Sequence, residues 1–455
     1  MINSIQISRY QETLELFLYQ DKIQKFFEDF LSSRLGKIWL AIPWGRLVKK
    51  FGGMYVNKGP DPYFSPKGKI ALMILKSFTG LSDQQLIESL NSNIHHQLFC
   101  DIYLGEKKLR NYKLVSKIRC ELGERLDIDK LQKELLSKWN PYIEEKDKVL
   151  IDATCYETDM RYPTDQKLLW ESIEWSYKQI KLLTKYLKIR NPKTKYSEIK
   201  TAYLLYSRSR KKTYKKRKKI TRRLLNLLEK LHPILEMLSK KEEVEIRKKD
   251  RKKIEKIVKI LEEQKLIFSG EEVKNRIVSI SKIYIRPIVR GKETKRVEFG
   301  AKVNKIQIGG IDIIEKIRFT NYNEGCNYKS SIEKAEELTG EQIKLSGADG
   351  IYATNENRSY AKRRGIQTNF KRKGRAGKHE SQRKQLSSII NRERSTRLEG
   401  SFGTDKRHYN LGRIKARTEL TERLWIFFGI HTKNALKIGE KIYKEIIKTE
   451  HLKSA

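Results

Sequence analysis

Residues 343–374 read IKLSGADGIYATNENRSYAKRRGIQTNFKRKG, and a basic helical stretch then leads to STRLEGSFG at 395–403. A short apolar run carries Asp349 into a glycine-flanked turn, the pattern of a strand that ends by presenting a carboxylate. Thr354 is placed to cap the next helix, Lys362, Arg363 and Arg364 fill its last turn, and Gly365 closes it. A second strand, Ile366 to Lys371, precedes the helix that delivers Glu399. Upstream, KVLIDAT at 148–154 sets Asp152 in an otherwise apolar strand, where a lone ionised carboxylate is costly unless a cation pairs with it. Two strand-borne aspartates and a helix-borne glutamate suit a pair of divalent metal ions acting on phosphate.

The composition points the same way. The 455 residues include 98 Lys and Arg against 56 Asp and Glu, a formal charge of +42. Solubility asks for far less, so the excess implies a polyanionic partner, chiefly nucleic acid. Cys100, Cys120, Cys155 and Cys326 are scattered without a CxxC pair, which indicates neither a zinc site nor a disulfide framework and fits a reducing cytoplasm. The polar start, MINSIQISRYQETLEL, gives no expectation of a signal peptide. No apolar run approaches the ~18 residues of a membrane span, and LWIFFGI at 424–430 belongs in a core. No GK[ST] phosphate loop occurs, so ATP use is not indicated.

Residues 1–145 read as helical. Leu14, Leu16, Phe17 and Leu18 begin an apolar face that Ile23, Phe26, Phe27 and Phe30 continue. Pro66–Phe78 and Gln84–Leu90 form two helices around a Gly80–Asp83 turn; this spacing suits a helix-turn-helix reading a DNA groove, and equally plain helix packing. From Pro163 to Phe268 the chain is again helical, capped by Thr164 or Asp165 and broken at Asn191-Pro192. Between Arg208 and Arg223, eleven of sixteen residues are Lys or Arg and none is acidic. Like charges one turn apart repel, so Lys215, Lys216, Lys218 and Lys219 are expected on phosphate, with Tyr206 and Tyr214 beside them. After Asn275 the pattern turns to strands: RIVSISKIYIRPIV, VEFGAKVNKIQIGG and IDIIEKIRFT, with turns at Gly291, Gly309 and Gly310. The last two pair as a hairpin, and helix Ser331–Leu338 follows.

That element order is the order of an α/β, RNase H-like fold: a mixed five-stranded sheet interrupted by a helical insertion and preceded by an all-α N-terminal DNA-binding domain. The expected boundaries are 1–145 for the helical domain, 146–164 for the first strand of the core and 165–268 for the basic insertion. The remainder of the core occupies 269–440, and 441–455 is a tail.

IPWGRLVKKF, LSDQQLIESL, LIDATCYETDMRYPTD, RPIVRGK with VEFGAKV, GADGIYATNENRSYAKRRGI and LEGSFGTDKRHYNLGR follow one another along nearly the whole chain. In that order they resemble bacterial insertion-sequence transposases of the DDE type. The resemblance implies that Asp152, Asp349 and Glu399 are the catalytic, metal-binding triad, and that Lys406 is the DNA-contacting lysine following the glutamate. On an unbroken helix the seven-residue gap returns Lys406 to nearly the face of Glu399; Gly400 and Gly403 test that continuity. Many relatives place Tyr and Arg seven and four residues before the glutamate. Here those positions are Arg392 and Ser395, leaving Arg392, Arg394 or Arg397 to supply the charge.

The chemistry implied is cleavage of DNA at element ends and strand transfer to target DNA. Two Mg²⁺ ions ~3.5–4 Å apart, with Mn²⁺ as a substitute, would serve it. Asp152 would bridge them, and Asp349 and Glu399 would each favour one. The resemblance also implies double-stranded DNA as partner, a homodimer on that DNA, and a cytoplasmic, nucleoid-associated protein. The alternatives are a metal nuclease of the same fold that cuts without joining, and a non-catalytic DNA-binding descendant. Rival acids are Glu157, Asp159, Asp165 and Asp312.

Overall fold

The computed structural model describes residues 20–50, 63–289 and 297–454. The apolar face at Leu14–Leu18 and the turn at Gly291 lie outside them. The described residues form two compact units: those within 1–158, 302–318 and 322–455 make one, and those within 159–301 and 319–321 make the other.

The first unit begins with helices α1 (Gln20–Ser32), α2 (Arg34–Ala41), α3 (Trp44–Lys50), α4 (Pro66–Thr79), α5 (Asp83–Ser92), α6 (Ile94–Phe99), α7 (Lys113–Arg125) and α8 (Ile128–Trp139). Local chemistry fixes their ends. Ser33, Ser65, Asn93 and Asp127 side chains accept from the first turns of α2, α4, α6 and α8. Ser82 and Gln85 cap α5 reciprocally. Gly80, at φ 66°, supplies the left-handed residue that ends α4. The chain then enters β1 (Lys148–Glu157), which continues three residues past the expected KVLIDAT.

The second unit holds α9 (Asp165–Tyr186), α10 (Tyr196–Arg208), α11 (Tyr214–Ser239) and α12 (Lys248–Ser269). Thr164 caps α9. Ile220, Leu224, Leu228, Leu231, Leu235 and Leu238 form one buried stripe of α11, packed with apolar residues of α9 and α12. RIVSISKIYIRPIV pairs only at β2 (Pro287–Val289). Ile277 and Ile280 are instead buried in the helical core, so this apolar run packs on helices and not in a neighbouring strand.

β3 (Val297–Ile308) starts in the second unit, where it pairs antiparallel with β2, and runs on into the first. There it pairs antiparallel with β4 (Ile311–Arg318), with a bulge at Asn304/Lys305. Gly309 and Gly310, both at positive φ, make the expected hairpin turn. A side chain at Gly309 would collide with the Glu144 carbonyl at 2.4 Å. α13 (Tyr328–Thr339), β5 (Leu345–Ala348), α14 (Asn355–Arg363), the two-residue β6 (Gln367–Thr368), α15 (Glu380–Glu393), α16 (Gly400–His408) and α17 (Glu419–Ser454) complete the unit.

The sheet of the first unit runs β4-β3-β1-β5-β6, with β5 parallel to both β1 and β6. LWIFFGI lies in α17 and is buried, as are facing residues of α2, α4 and α7. Gly439 lets α17 meet α2 backbone to backbone, since a Cβ there would lie 1.9 Å from the Lys37 carbonyl oxygen. Among the described residues, no helix is long and apolar enough to cross a membrane.

Candidate active site

Parallel pairing of β1 with β5 aligns Ile151 with Ala348. The next residues, Asp152 and Asp349, therefore stand side by side at the top of two central strands. Asp349 lies just past the end of β5, where its side chain accepts from the Gly350 N–H at 2.7 Å and caps a short 3₁₀ turn. Asn357 braces that turn by donating to the Tyr352 and Gly325 carbonyls.

Glu399 arrives on a helix laid across the same strands. Leu386 and Ile390 of α15 pack with Leu398 on Leu150 and Leu345. Gly347 makes this approach possible: a Cβ there would lie 2.5 Å from the Ile390 side chain. Between α15 and α16, residues Arg394–Glu399 form a π-helical turn, and the helix continues through Gly400 and Gly403 without a break. Lys406, in the last turn of α16, lies with its ammonium 5.9 Å from the Tyr156 ring centre.

The three acids meet on one guanidinium. Arg394 Nη1 lies 3.2 Å from Asp152 Oδ2 and 3.4 Å from Glu399 Oε1, and its Nη2 lies 4.0 Å from Asp349 Oδ1. In a π turn residues five apart face one another, where an α-helix would align residues four apart. An arginine five before the glutamate thereby reaches it. Of the three arginines the sequence offered, Arg394 is the one brought to the acids. Arg397 pairs with Glu145 at 3.1 Å, and Arg392 is exposed. The sequence signal was the displaced arginine itself, but the π turn that compensates for it follows from packing.

Burial raises the Asp152 carboxyl from 3.8 to about 6, against the Ala153 N–H and Arg394, which favour its ionised form. Glu324 and Asp349 add to the rise. Arg394 is itself mostly buried, and its Nε–H has no acceptor among the described residues. Hard carboxylate oxygens gathered around a cation are the donor type a magnesium-like ion requires. As they stand they surround the arginine, and no group of three or more His, Cys, Asp or Glu among the described residues is drawn together for a metal ion.

Beneath Glu399, α16 is held by a buried quartet of charges. Lys305 Nζ, on the bulged stretch of β3, donates to Asp312 (2.8 Å), Asp405 (2.7 Å) and Ser401 (3.0 Å). Lys433 of α17 donates to the same three side chains. Tyr156 of β1 donates to Asp405 at 2.6 Å. Burial would raise the Asp312 carboxyl, yet Lys305 and Lys433 hold it well below the usual range; burial would lower the Lys433 ammonium, yet Asp312 and Asp405 push it up. Asp312, a rival acid by sequence, thus belongs to a closed structural network. The other rivals also stand apart: Glu157 ends β1, Asp159 follows it, and Asp165 pairs with Arg276 in the second unit.

Two family models match the chain: a transposase domain (DUF772) over residues 24–121 and a transposase DDE domain over residues 347–428. Together the two matches support an insertion-sequence DDE transposase. The DDE match covers Asp349, Arg394, Glu399 and Lys406, and the other match covers most of the N-terminal helices. No curated protein and no solved structure matches the transposase. Its basic run spans the end of α10, a loop and the start of α11 in the second unit. Lys215, Lys216, Lys218 and Lys219 are all exposed, and Arg217 and Lys218 lie over the Tyr214 ring.

Proposed function

We propose that this transposase binds its element ends and catalyses metal-dependent DNA cleavage and strand transfer at Asp152, Asp349 and Glu399. The observation that carries the reading is the convergence of these three acids, from segments far apart in sequence, on the single cation of Arg394. The sheet order, with β1 central between β3–β4 and β5–β6, supports an RNase H-like core, and residues 1–145 would recognise the element ends. Asp152, Asp349 and Glu399 would hold the Mg²⁺ ions. Bound there, the ions would activate a water or 3′-hydroxyl and neutralise charge on the attacking and leaving oxygens.

The chain's own groups do the rest. Asp152 is set to be ionised near neutral pH while remaining shielded from water. Arg394 keeps three carboxylates together that would otherwise repel, and a phosphate oxygen would give its buried Nε–H the acceptor it lacks among the described residues. The quartet fixes α16, and with it the angle at which Glu399 enters. Incubating the protein with flanked element-end DNA and Mg²⁺, then sequencing the products, tests the reading. Cleaved and joined ends are expected; cleavage without joining reduces the protein to a nuclease, and intact DNA refutes the assignment.

A further inference from the structure

The segment Arg413–Thr418 reads RIKART, and its structure sorts these residues by side: Arg413, Lys415 and Arg417 are exposed, while Ile414 and Ala416 are buried. Such alternation is that of an extended strand, in which cations two residues apart recur every ~6.5–7 Å, about twice the ~3.4 Å axial rise between successive phosphates of one DNA strand and close to their separation through space. The segment is firmly anchored. The Ile414 N–H donates to the Glu157 carbonyl at 2.8 Å, continuing the edge of β1, and the Trp425 indole donates to the Asn410 carbonyl at 2.9 Å.

Across from it, α7 turns Lys113 and Lys117, one helical turn apart, into the same groove of about 610 Å³. The carboxylate lining this groove is Asp83, and it is already matched: Lys76 and Arg119 each approach it at 2.9 Å while lying over the buried Trp425 ring. Lys415 also lines a second groove with Lys406, Arg407 and Arg413, which adjoins the last turn of the Glu399-bearing helix. By contrast, α5, the second helix of the helix-turn-helix-like pair, carries no Lys or Arg and exposes Gln84, Gln85 and Glu88.

We infer that Lys113, Lys117, Lys415 and Arg417 form a track for the phosphate backbone of duplex DNA, leading along Arg413 and Arg407 toward the triad. The inference rests on the reading of the protein as a transposase and gives that reading a specific DNA path. The track adds affinity without base readout, since contacts to phosphate carry no sequence information.

The test uses the full-length protein and labelled duplex DNA in EDTA, with affinity followed against salt. The variant K113Q/K117Q/K415Q/R417Q changes only exposed side chains, and an unchanged melting profile certifies its fold. Each lost phosphate contact removes ~0.9 from the slope of log K against log salt. The slope should therefore flatten by about 3–4, with end and scrambled duplexes weakened equally. A control of the same charge change on α12, K248Q/K249Q/K252Q/K259Q, should move the slope by much less. Equal flattening by both variants, an unchanged slope, or loss of binding to single-stranded RNA alone would each overturn the track. Because no strand is cut in EDTA, these outcomes are independent of whether the triad is catalytic.

Discussion

Lys433→Met probes the quartet beneath Glu399. The wild-type arrangement is neutral, with two lysines against two aspartates, all essentially excluded from water. Methionine keeps much of the lysine stem but removes one cation, leaving Asp312 and Asp405 to share Lys305. Removing one partner of a buried ion pair leaves an uncompensated charge, at a cost of about 3–5 kcal/mol, a large part of the 5–15 kcal/mol that typically separates folded from unfolded. Asp312→Asn alone leaves the opposite excess. Made together, the two substitutions restore neutrality around Lys305 and Asp405, so the double variant should be more stable than the sum of the singles predicts, by ~1–3 kcal/mol. Urea unfolding followed by tryptophan emission reads this, since Trp139 and Trp425 lie in the same unit. Strict additivity, or a single-variant loss below about 1 kcal/mol, would refute the view that charge balance in the quartet holds α16.

Replacing Asp152, Asp349 or Glu399 by Ala should each abolish strand cleavage while leaving DNA binding in EDTA within a few-fold, read on gels and by anisotropy. Arg394→Ala should let Mg²⁺ or Mn²⁺ bind the metal-free protein several-fold more tightly in calorimetry, because the guanidinium no longer competes for the three carboxylates. Asp152 is raised to about 6 in the fold, so its neutral form is favoured there: its contribution to stability is complete below about pH 4 and lost as pH rises through 6, roughly 3 kcal/mol in all. Asp152→Asn should remove that part of the pH dependence of unfolding, and the same ionisation should make Mg²⁺ affinity climb up to about pH 6–7 in the wild type. Changing Lys215, Lys216, Lys218 and Lys219 together to Gln should flatten the salt slope of DNA binding by up to about 3–4 without altering the ratio of end to non-end affinity.

The sequence by itself placed most of the elements and singled out the three acids that the fold brings together on Arg394. A carboxylate in the apolar run KVLIDAT, a strand ending at Asp349 and serine or threonine caps ahead of helices are local signals, and local backbone preference is legible in a few residues. It also carried the hairpin at Gly309-Gly310, since a two-residue turn with positive φ selects glycine. What it did not contain was the partner each residue meets. Ile277 and Ile280 lie in an Ile- and Val-rich run that reads as a strand, yet a helical core buries them. Arg392, Arg394 and Arg397 are equivalent on paper; the π turn and the close approach at Gly347 decide that Arg394 reaches the acids. Asp312 resembled a candidate ligand until two lysines, one of them 121 residues away, enclosed it. Burial and charge pairing are sums over neighbours that tertiary packing brings together, so the cation at the triad's centre, the quartet under Glu399 and the one-sided setting of RIKART became visible only in the folded chain.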